Sequence, residues 1–223
     1  MTSVGVVVLQ YRNWPAVGAC LDAVLQQGVA PELVCVVDNA SGDGSVEGIR
    51  RAFPAVTVLE LGANRGYAAG MNAGVAHLHE VDLVLLVTHD CVLGEGALAA
   101  LAYAMGHDER IGIAGPLLAL RSEPNLVFSA GGTFYGPRLA TGHTGAGEPV
   151  EQWLGAPVHD AAFVDGACLL VRTQVLSEVG GLDEGYFLYF EETDLARRVV
   201  RAGWRVVCVR DALAAQEPSS RPE

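Results

Sequence analysis

Apolar runs of strand length alternate with amphipathic stretches through roughly the first 105 residues, the rhythm of parallel βαβ units. Val4–Leu9 reads as a first strand, and Pro15–Gln26 as a helix with Val17, Leu21, Val24 and Leu25 along one face. Pro15 falls in the first turn, where its missing N–H is tolerated. Leu33–Val37, Val56–Leu61 and Leu83–Val87 read as further strands, with helices over Ser45–Phe53, Tyr67–His79 and Glu95–Met105. Right-handed crossovers between such strands predict a doubly wound α/β sheet.

Beyond this point the rhythm changes. Ile111–Ala114 and Leu117–Leu120 read as two strands around a Gly115-Pro116 break. Residues 121–160 are rich in Gly, Pro and Thr and read as a long excursion with one hairpin. Phe163–Val171 returns as a strand, followed by helices over Gln174–Val179 and Glu192–Arg201 and a strand over Arg205–Val209. Residues 214–223 read as a frayed end. No internal repeat is visible.

The composition bounds the function. Of the 223 residues 51% are apolar, enough for a sizeable core, and the net charge of −12 argues against nucleic acid as a partner. No apolar run approaches the ~20 residues of a membrane span. The N-terminus lacks a basic region and cleavage site, so a cytoplasmic location is expected. Five cysteines (Cys20, Cys35, Cys91, Cys168 and Cys208) lack CxxC spacing, which predicts reduced thiols rather than a disulfide frame or zinc knot, with Cys35 and Cys208, inside apolar runs, as core residues.

The informative chemistry is a series of acids at the ends of apolar runs. These are Asp38 after Val36-Val37, Asp90 after Leu83–Val87, Asp165 after Phe163-Val164, and Glu191-Glu192-Thr193-Asp194 after Phe187–Phe190. In an open α/β sheet, ligands bind beyond the carboxyl ends of the strands. Asp38 suits either an Asx-turn or acceptance of the imide N–H of a uracil- or thymine-like base. Thr88-His89-Asp90 suits either a capped turn or a hard cation, Mg2+ or Mn2+, with His89 as an added nitrogen ligand. Asn64–Asn72 opens a helix with two glycines. It suits close packing or the approach of a diphosphate whose charge Arg65 or the helix N-terminus offsets. No GxGxxG or Walker A sequence is present, which disfavours a dehydrogenase or P-loop enzyme. Glu191, Glu192 and Asp194 suit either complementation of the helix dipole, with pairing to Arg197, Arg198 and Arg201 a turn later, or, for at least one of them, a place at the edge of a partly dry cavity behind the apolar run. Desolvation there raises proton affinity, as suits a general base, while the helix dipole pulls the other way and leaves the net shift open.

Taken in order, these segments resemble the family 2 glycosyltransferases, inverting enzymes of GT-A fold, and especially their bacterial rhamnosyltransferase-like branch. The resemblance is carried by Val7–Asn13, Val36–Ser45, Asn64–Asn72, Asp165–Arg172, Gly180–Glu184 and Phe187–Leu195, with Arg198, Gly203 and Trp204. It implies a Rossmann-like, mostly parallel sheet with a smaller acceptor-side β region, in one domain over 1–223. Within it, about 1–105 would be the nucleotide-binding half, about 106–212 the acceptor and catalytic half, and 213–223 a tail. It implies nucleotide contacts from Tyr11, Asn13, Asp38, Asn39, Arg65, Gly66, Asn72 and His89. It further implies metal contacts from Asp90 and His89, and donor-sugar or acceptor contacts from Asp165, Gly166 and Asp194. Glu192 would be the base, with Glu191 as its partner or substitute.

Two departures bear on the metal: the acidic metal motif is reduced to Thr88-His89-Asp90, and Gln216 falls where the family places a ligating His. The expected reaction moves a sugar from a dTDP- or UDP-linked donor to a saccharide or small soluble acceptor, for which a cationic aminocyclitol would match the charge balance. A homodimer is compatible with the sequence. The competing readings are a nucleotide-sugar-binding module that has lost turnover and a sugar-1-phosphate nucleotidyltransferase.

Overall fold

A computed structural model describes residues 2–78, 80–136, 140–155 and 158–216. The first half follows the alternation of the sequence: β1 (Val4–Gln10), α1 (Trp14–Leu25), β2 (Val34–Asp38), α2 (Ser45–Ala52), β3 (Thr57–Glu60), α3 (Gly66–His77) and β4 (Leu83–Thr88). The short β5 (Val92–Leu93), α4 (Ala97–His107) and the long β6 (Ile111–Leu120) follow. The second half contains β7 (Val127–Ser129), β8 (Gly132–Tyr135), β9 (Ala140–His143), β10 (His159–Asp160) and β11 (Cys168–Arg172). It ends with α5 (Thr173–Val179), α6 (Glu191–Arg201) and β12 (Arg205–Gln216).

The large sheet has the order β10-β12-β6-β11-β4-β1-β2-β3, with β5 against β12 and β7 against β6; β8 and β9 form a separate antiparallel pair. Strands β1, β2, β3 and β4 run parallel, whereas β11 is antiparallel to both neighbours, β4 and β6. Apolar layers cover both faces, which explains why the central strands are continuously hydrophobic. Leu83, Leu85 and Val87 of β4 pack on the side of α1 and α4, while Val84 and Leu86 pack on the side of α3 and α6. All five cysteines are free and buried: Cys35 and Cys208 as their apolar runs predict, with Cys20, Cys91 and Cys168 joining them.

Three expectations are corrected. Gly115-Pro116 does not divide two strands; β6 runs straight through. Opposite Pro116, β12 shifts register between Val209 and Leu213, so the absent proline N–H leaves no regular ladder position vacant. Gly115 is required there by packing, since a Cβ would lie 2.5 Å from the Val164 side chain.

Secondly, the strand expected over Phe163–Val171 begins only at Cys168, leaving Asp165 and Gly166 in the loop before it. Thirdly, Ala214, Ala215 and Gln216 are not frayed but extend β12 in register with Leu118, Ala119 and Leu120. The remainder of that expected tail, 217–223, lies outside the described residues. The expected hairpin is β8–β9, and β7 and β10 add further pairing to the excursion. No described helix is long and apolar enough to cross a membrane.

Candidate active site

The carboxyl ends of β2, β1 and β4 form one edge of the sheet. Gln10 is in register with Asp38, and Leu9 with Thr88. The chain leaving each strand is tied to its neighbour: Asn39 N donates to Gln10 O at 2.8 Å, and His89 N to Leu9 O at 3.0 Å. Only β1 separates β2 from β4, so the ends bearing Asp38 and Asp90 are about 10 Å apart at ordinary strand spacing.

Asp38 is 3% exposed. Its Oδ2 accepts from Ser41 N at 3.0 Å, while its Oδ1 has no partner among the described residues. Beside it, Gln10 donates Nε2 to Arg12 O, and its Oε1 is likewise buried and unpartnered. Both side chains fall on the α1 face of the sheet, by alternation from Val6, Val8, Val34 and Val36. Two adjacent buried acceptors, each costing about 1–3 kcal/mol when unsatisfied, form a site suited to an incoming N–H donor.

The lip of this site is strained and stapled. Arg12, Asn13 and Ala40, three of the six described non-glycine residues with positive φ, lie on it. Ser41 Oγ accepts from Arg12 N at 2.7 Å, and Asp43 Oδ2 from Asn13 N at 3.1 Å. Hydrogen bonds from Ser45 hold the Asp43 carboxyl below its ordinary range. Tyr11 stands exposed at this lip with the Arg12 guanidinium 5.0 Å from its ring centre.

Several residues assigned by resemblance to the nucleotide are engaged within the protein. Asn39 donates Nδ2 to Gly66 O at 3.1 Å and accepts from Arg65 N at 2.9 Å. The Arg65 guanidinium pairs with Glu184 at 2.8 Å rather than standing free for a phosphate. Asn72 clamps both backbone groups of Leu182, at 2.8 and 3.0 Å.

Gly66 (φ 82°) meets a close backbone approach, but from its own chain: a Cβ there would lie 2.2 Å from Phe187 O, which accepts from Tyr67 N at 2.8 Å. Gly66→Ala is therefore expected to lower the melting temperature by several degrees, since left-handed strain and a backbone clash together exceed about 2 kcal/mol. An unchanged thermal melt would remove this contact from the account.

The antiparallel direction of β11 brings Asp165 to the same edge, because its loop precedes the strand that pairs with β4. Thr88 N donates to Ala167 O at 2.9 Å, and Tyr67 donates its hydroxyl to Gly166 O at 2.6 Å. Asp165 accepts from Ala167 N at 2.9 Å and lies 3.9 Å from His143 Nδ1. Burial, reinforced by Asp90, raises its proton affinity.

Glu191 and Glu192 open α6 on the other side of Tyr67, whose phenol is held protonated by burial and by both glutamates. Glu191 is 3% exposed, its Oε2 is unpartnered among the described residues, and burial, then Glu192 and Asp165, push it up to about 7. Glu192 is half-buried and also raised by burial; its Oε1 accepts from Thr193 Oγ1 at 2.9 Å. Asp90, Asp165, Glu191 and Glu192 thus form one electrostatically linked series.

The residues expected to create a dry cavity, Phe187, Leu188, Tyr189 and Phe190, are instead 47–58% exposed. The desolvation of Glu191 comes from its own inward placement. Asp194 does not join the series: it pairs with Arg198 at 2.7 Å, and Arg198 donates to Val179 O and Gly181 O at 2.8 Å each.

Between pH 4.5 and about 7 the folded chain retains a proton on Glu191 that the unfolded chain has released. Stability from this group is therefore full below 4.5 and declines as pH rises to about 7. Glu191→Gln is expected to raise the melting temperature at pH 8, by at most about 3 kcal/mol of stability. The gain should vanish near pH 4.5, and a pH-independent difference would reject this linkage.

Among the described residues, no three His, Cys, Asp or Glu side chains form a metal-sized group. His89 and Asp90 make no side-chain hydrogen bond or ion pair there, and Asp90 acts electrostatically on Asp165. One or two carboxylates without a preformed cage fit a hard cation whose remaining ligands are phosphate oxygens and water.

Sequence reasoning missed Arg121. It follows the apolar run of β6, and its N donates to Gln216 O at 3.0 Å at the end of β12, while Ala215 pairs with Val92. Its guanidinium forms no ion pair among the described residues. Both it and Asp90 act, in opposite senses, on the buried Cys20 thiol beside Thr88. The available signal was its position directly after a strand, the same signal that singled out Asp38 and Asp90.

The sequence matches the family model described as glycosyltransferase like family 2 over residues 2–223. It is 30% identical over 226 residues to N-acetylglucosaminyl-diphospho-decaprenol L-rhamnosyltransferase of two Mycobacterium tuberculosis strains, covering 93% of this chain and 73% of the relative. Its fold is similar to that of GalNAc-T7 solved with UDP, GalNAc and Mn2+ (TM-score 0.79, 12% identity). It is also similar to the mannosyltransferase PcManGT of Pyrobaculum calidifontis in complex with GDP-Man and Mn2+ (TM-score 0.72, 20% identity). Each likeness covers 98% of this chain, which spans 44% and 58% of those two structures. With a mostly parallel sheet of GT-A type and a family match along almost its whole length, the chain belongs to glycosyltransferase family 2.

Proposed function

We propose that this glycosyltransferase draws its sugar from a nucleoside diphosphate sugar and inverts the anomeric carbon as it transfers it. The observation that carries the reading is the pair of unpartnered buried acceptors, Asp38 Oδ1 and Gln10 Oε1, at the lip of the sheet edge. A nucleobase imide N–H entering there would relieve the Asp38 carboxylate, with Tyr11 and Asn13 bordering the nucleoside. The diphosphate would then extend across β1 towards Asp90 and His89, with Asp165 and Gly166 beside the sugar. Mg2+ or Mn2+ held by Asp90 would supply charge neutralisation to the diphosphate when bound. Arg121 faces the same end of the sheet and would add fixed positive charge for the leaving group.

Glu192 acts as the base in this reading. It is the more solvent-exposed of the two glutamates, and its carboxylate accepts from Thr193 Oγ1. Its carboxylate takes the proton from an acceptor hydroxyl or amine, whose oxygen or nitrogen forms the new bond to the anomeric carbon. The bond to the diphosphate oxygen breaks on the opposite face, and the diphosphate leaves with the electron pair. Family membership disfavours the nucleotidyltransferase reading. The mycobacterial relative's name gives a saccharide on diphospho-decaprenol as its acceptor, which supports an anionic rather than a cationic acceptor here.

Thermal melts with UDP, dTDP and GDP, each with and without Mn2+, test the donor. One nucleotide at about 100 times its dissociation constant is expected to add about 2.7 kcal/mol of stability. Indifference to all three would overturn the donor reading.

A further inference from the structure

The base site holds one more unmet acceptor than the single N–H of uracil or thymine can satisfy. Gln10 is in register with Asp38 on the neighbouring strand, and both side chains fall on the α1 face of the sheet. Both residues are buried, and each keeps one oxygen without a partner among the described residues, Gln10 Oε1 and Asp38 Oδ1.

Neighbouring groups fix which atoms these are. Gln10 spends its Nε2 on the Arg12 carbonyl, and turning the amide round would set oxygen against oxygen. Asp38 Oδ2 is taken by Ser41 N at 3.0 Å, which leaves Oδ1. The site therefore offers two acceptors from adjacent strands, whose backbones lie about 4.8 Å apart. A ligand that meets only one of them leaves the other buried and unpaired, which is costly.

The hydrogen-bonding edges of the bases differ in this respect. Uracil and thymine carry one N–H between two carbonyl oxygens, so the second protein acceptor would face a carbonyl. Adenine and cytosine carry one amine beside an unprotonated ring nitrogen, which is again an acceptor. Guanine places two donor groups next to each other, N1–H and the 2-amino group. A pair of acceptors is the complement of that edge.

We propose that the base of the donor is guanine, with Asp38 Oδ1 accepting from N1–H and Gln10 Oε1 from the 2-amino group. Guanine N1–H takes the place given above to an imide N–H. Asp38 alone suits a uracil- or thymine-like base, and the buried amide oxygen beside it changes the choice. Gln10 is in this way the residue that determines base specificity. This choice of base rests on the donor reading above, since it names the nucleoside diphosphate that the same site takes.

Calorimetric titration of the full chain with GDP, inosine diphosphate, UDP and dTDP tests it. Inosine diphosphate keeps N1–H and lacks only the 2-amino group, so it isolates the bond to Gln10. GDP is expected to bind about 10- to 100-fold more tightly than inosine diphosphate, the usual consequence of leaving a buried acceptor unmet. It should also bind more tightly than UDP and dTDP. Gln10→Met keeps the length of the side chain and removes the acceptor, and the preference for GDP over inosine diphosphate should disappear in it. Equal binding of GDP and inosine diphosphate by the wild type, a comparison that needs no variant, overturns the assignment. A preference for UDP or dTDP also overturns it, while leaving the donor reading in place with a different base. A GDP preference that survives Gln10→Met removes Gln10 from the recognition of the base. Failure of all four nucleotides to bind removes the donor reading itself, and guanine with it.

Discussion

Glu192→Gln is expected to reduce sugar transfer by about 10²- to 10⁴-fold, the usual worth of a positioned general base. Its carboxylate is half-buried, raised in proton affinity and adjacent to Gly166, where a Cβ would lie 3.7 Å from the Glu192 Cβ. Glutamine retains the size of the side chain and can still accept from Thr193 Oγ1, so the start of α6 should persist. The loss should therefore appear in kcat, with the nucleotide-induced thermal shift preserved. Wild-type turnover in the glutamine variant, combined with collapse in Glu191→Gln, would move the base by one position. The pH-dependent stabilisation expected of Glu191→Gln separates the two glutamates without any assay of turnover.

Asp38→Asn is expected to weaken nucleotide binding by about 10- to 100-fold, with little change in the melt of the unliganded chain. The amide oxygen can still accept from Ser41 N, which preserves the turn after β2. Its NH2 group then occupies the place of the unpartnered Oδ1 and faces an imide N–H donor to donor. Losing the bond and leaving a buried donor unmet costs about 1–3 kcal/mol, which sets the size of the effect. Calorimetric titration with the nucleotide that best stabilises wild type checks it, and unchanged affinity would take Asp38 out of the base site.

The elements of the first half were legible because each central strand is apolar on both faces and ends in a polar residue. Val36-Val37-Asp38 and Leu86-Val87-Thr88 announce where a strand stops, and their acids lie at the carboxyl edge accordingly. The polar residues around them were harder to read. Asn39, Arg65 and Asn72 have the side chains of ligand contacts, yet they satisfy backbone groups or charges of distant loops. A one-dimensional pattern does not reveal that Phe187 arrives at Gly66, more than a hundred residues away, and occupies the space that a glycine keeps open. The same limit applied to β6, where a Gly-Pro pair resembles a break until a bulge in β12 is seen opposite it.

Sequence alone determined the α/β alternation and the acids at strand and helix ends, because hydrophobic period and terminal residue type are local properties. Tertiary structure decided which of those acids meet. Asp165 reaches the edge only because β11 runs antiparallel between β4 and β6. Glu191 becomes a proton-holding group only because it is folded inward, and Asp194 leaves the acid series only because Arg198 pairs with it. Strand direction, desolvation and charge pairing all arise between segments far apart in the chain, so no local pattern could fix them.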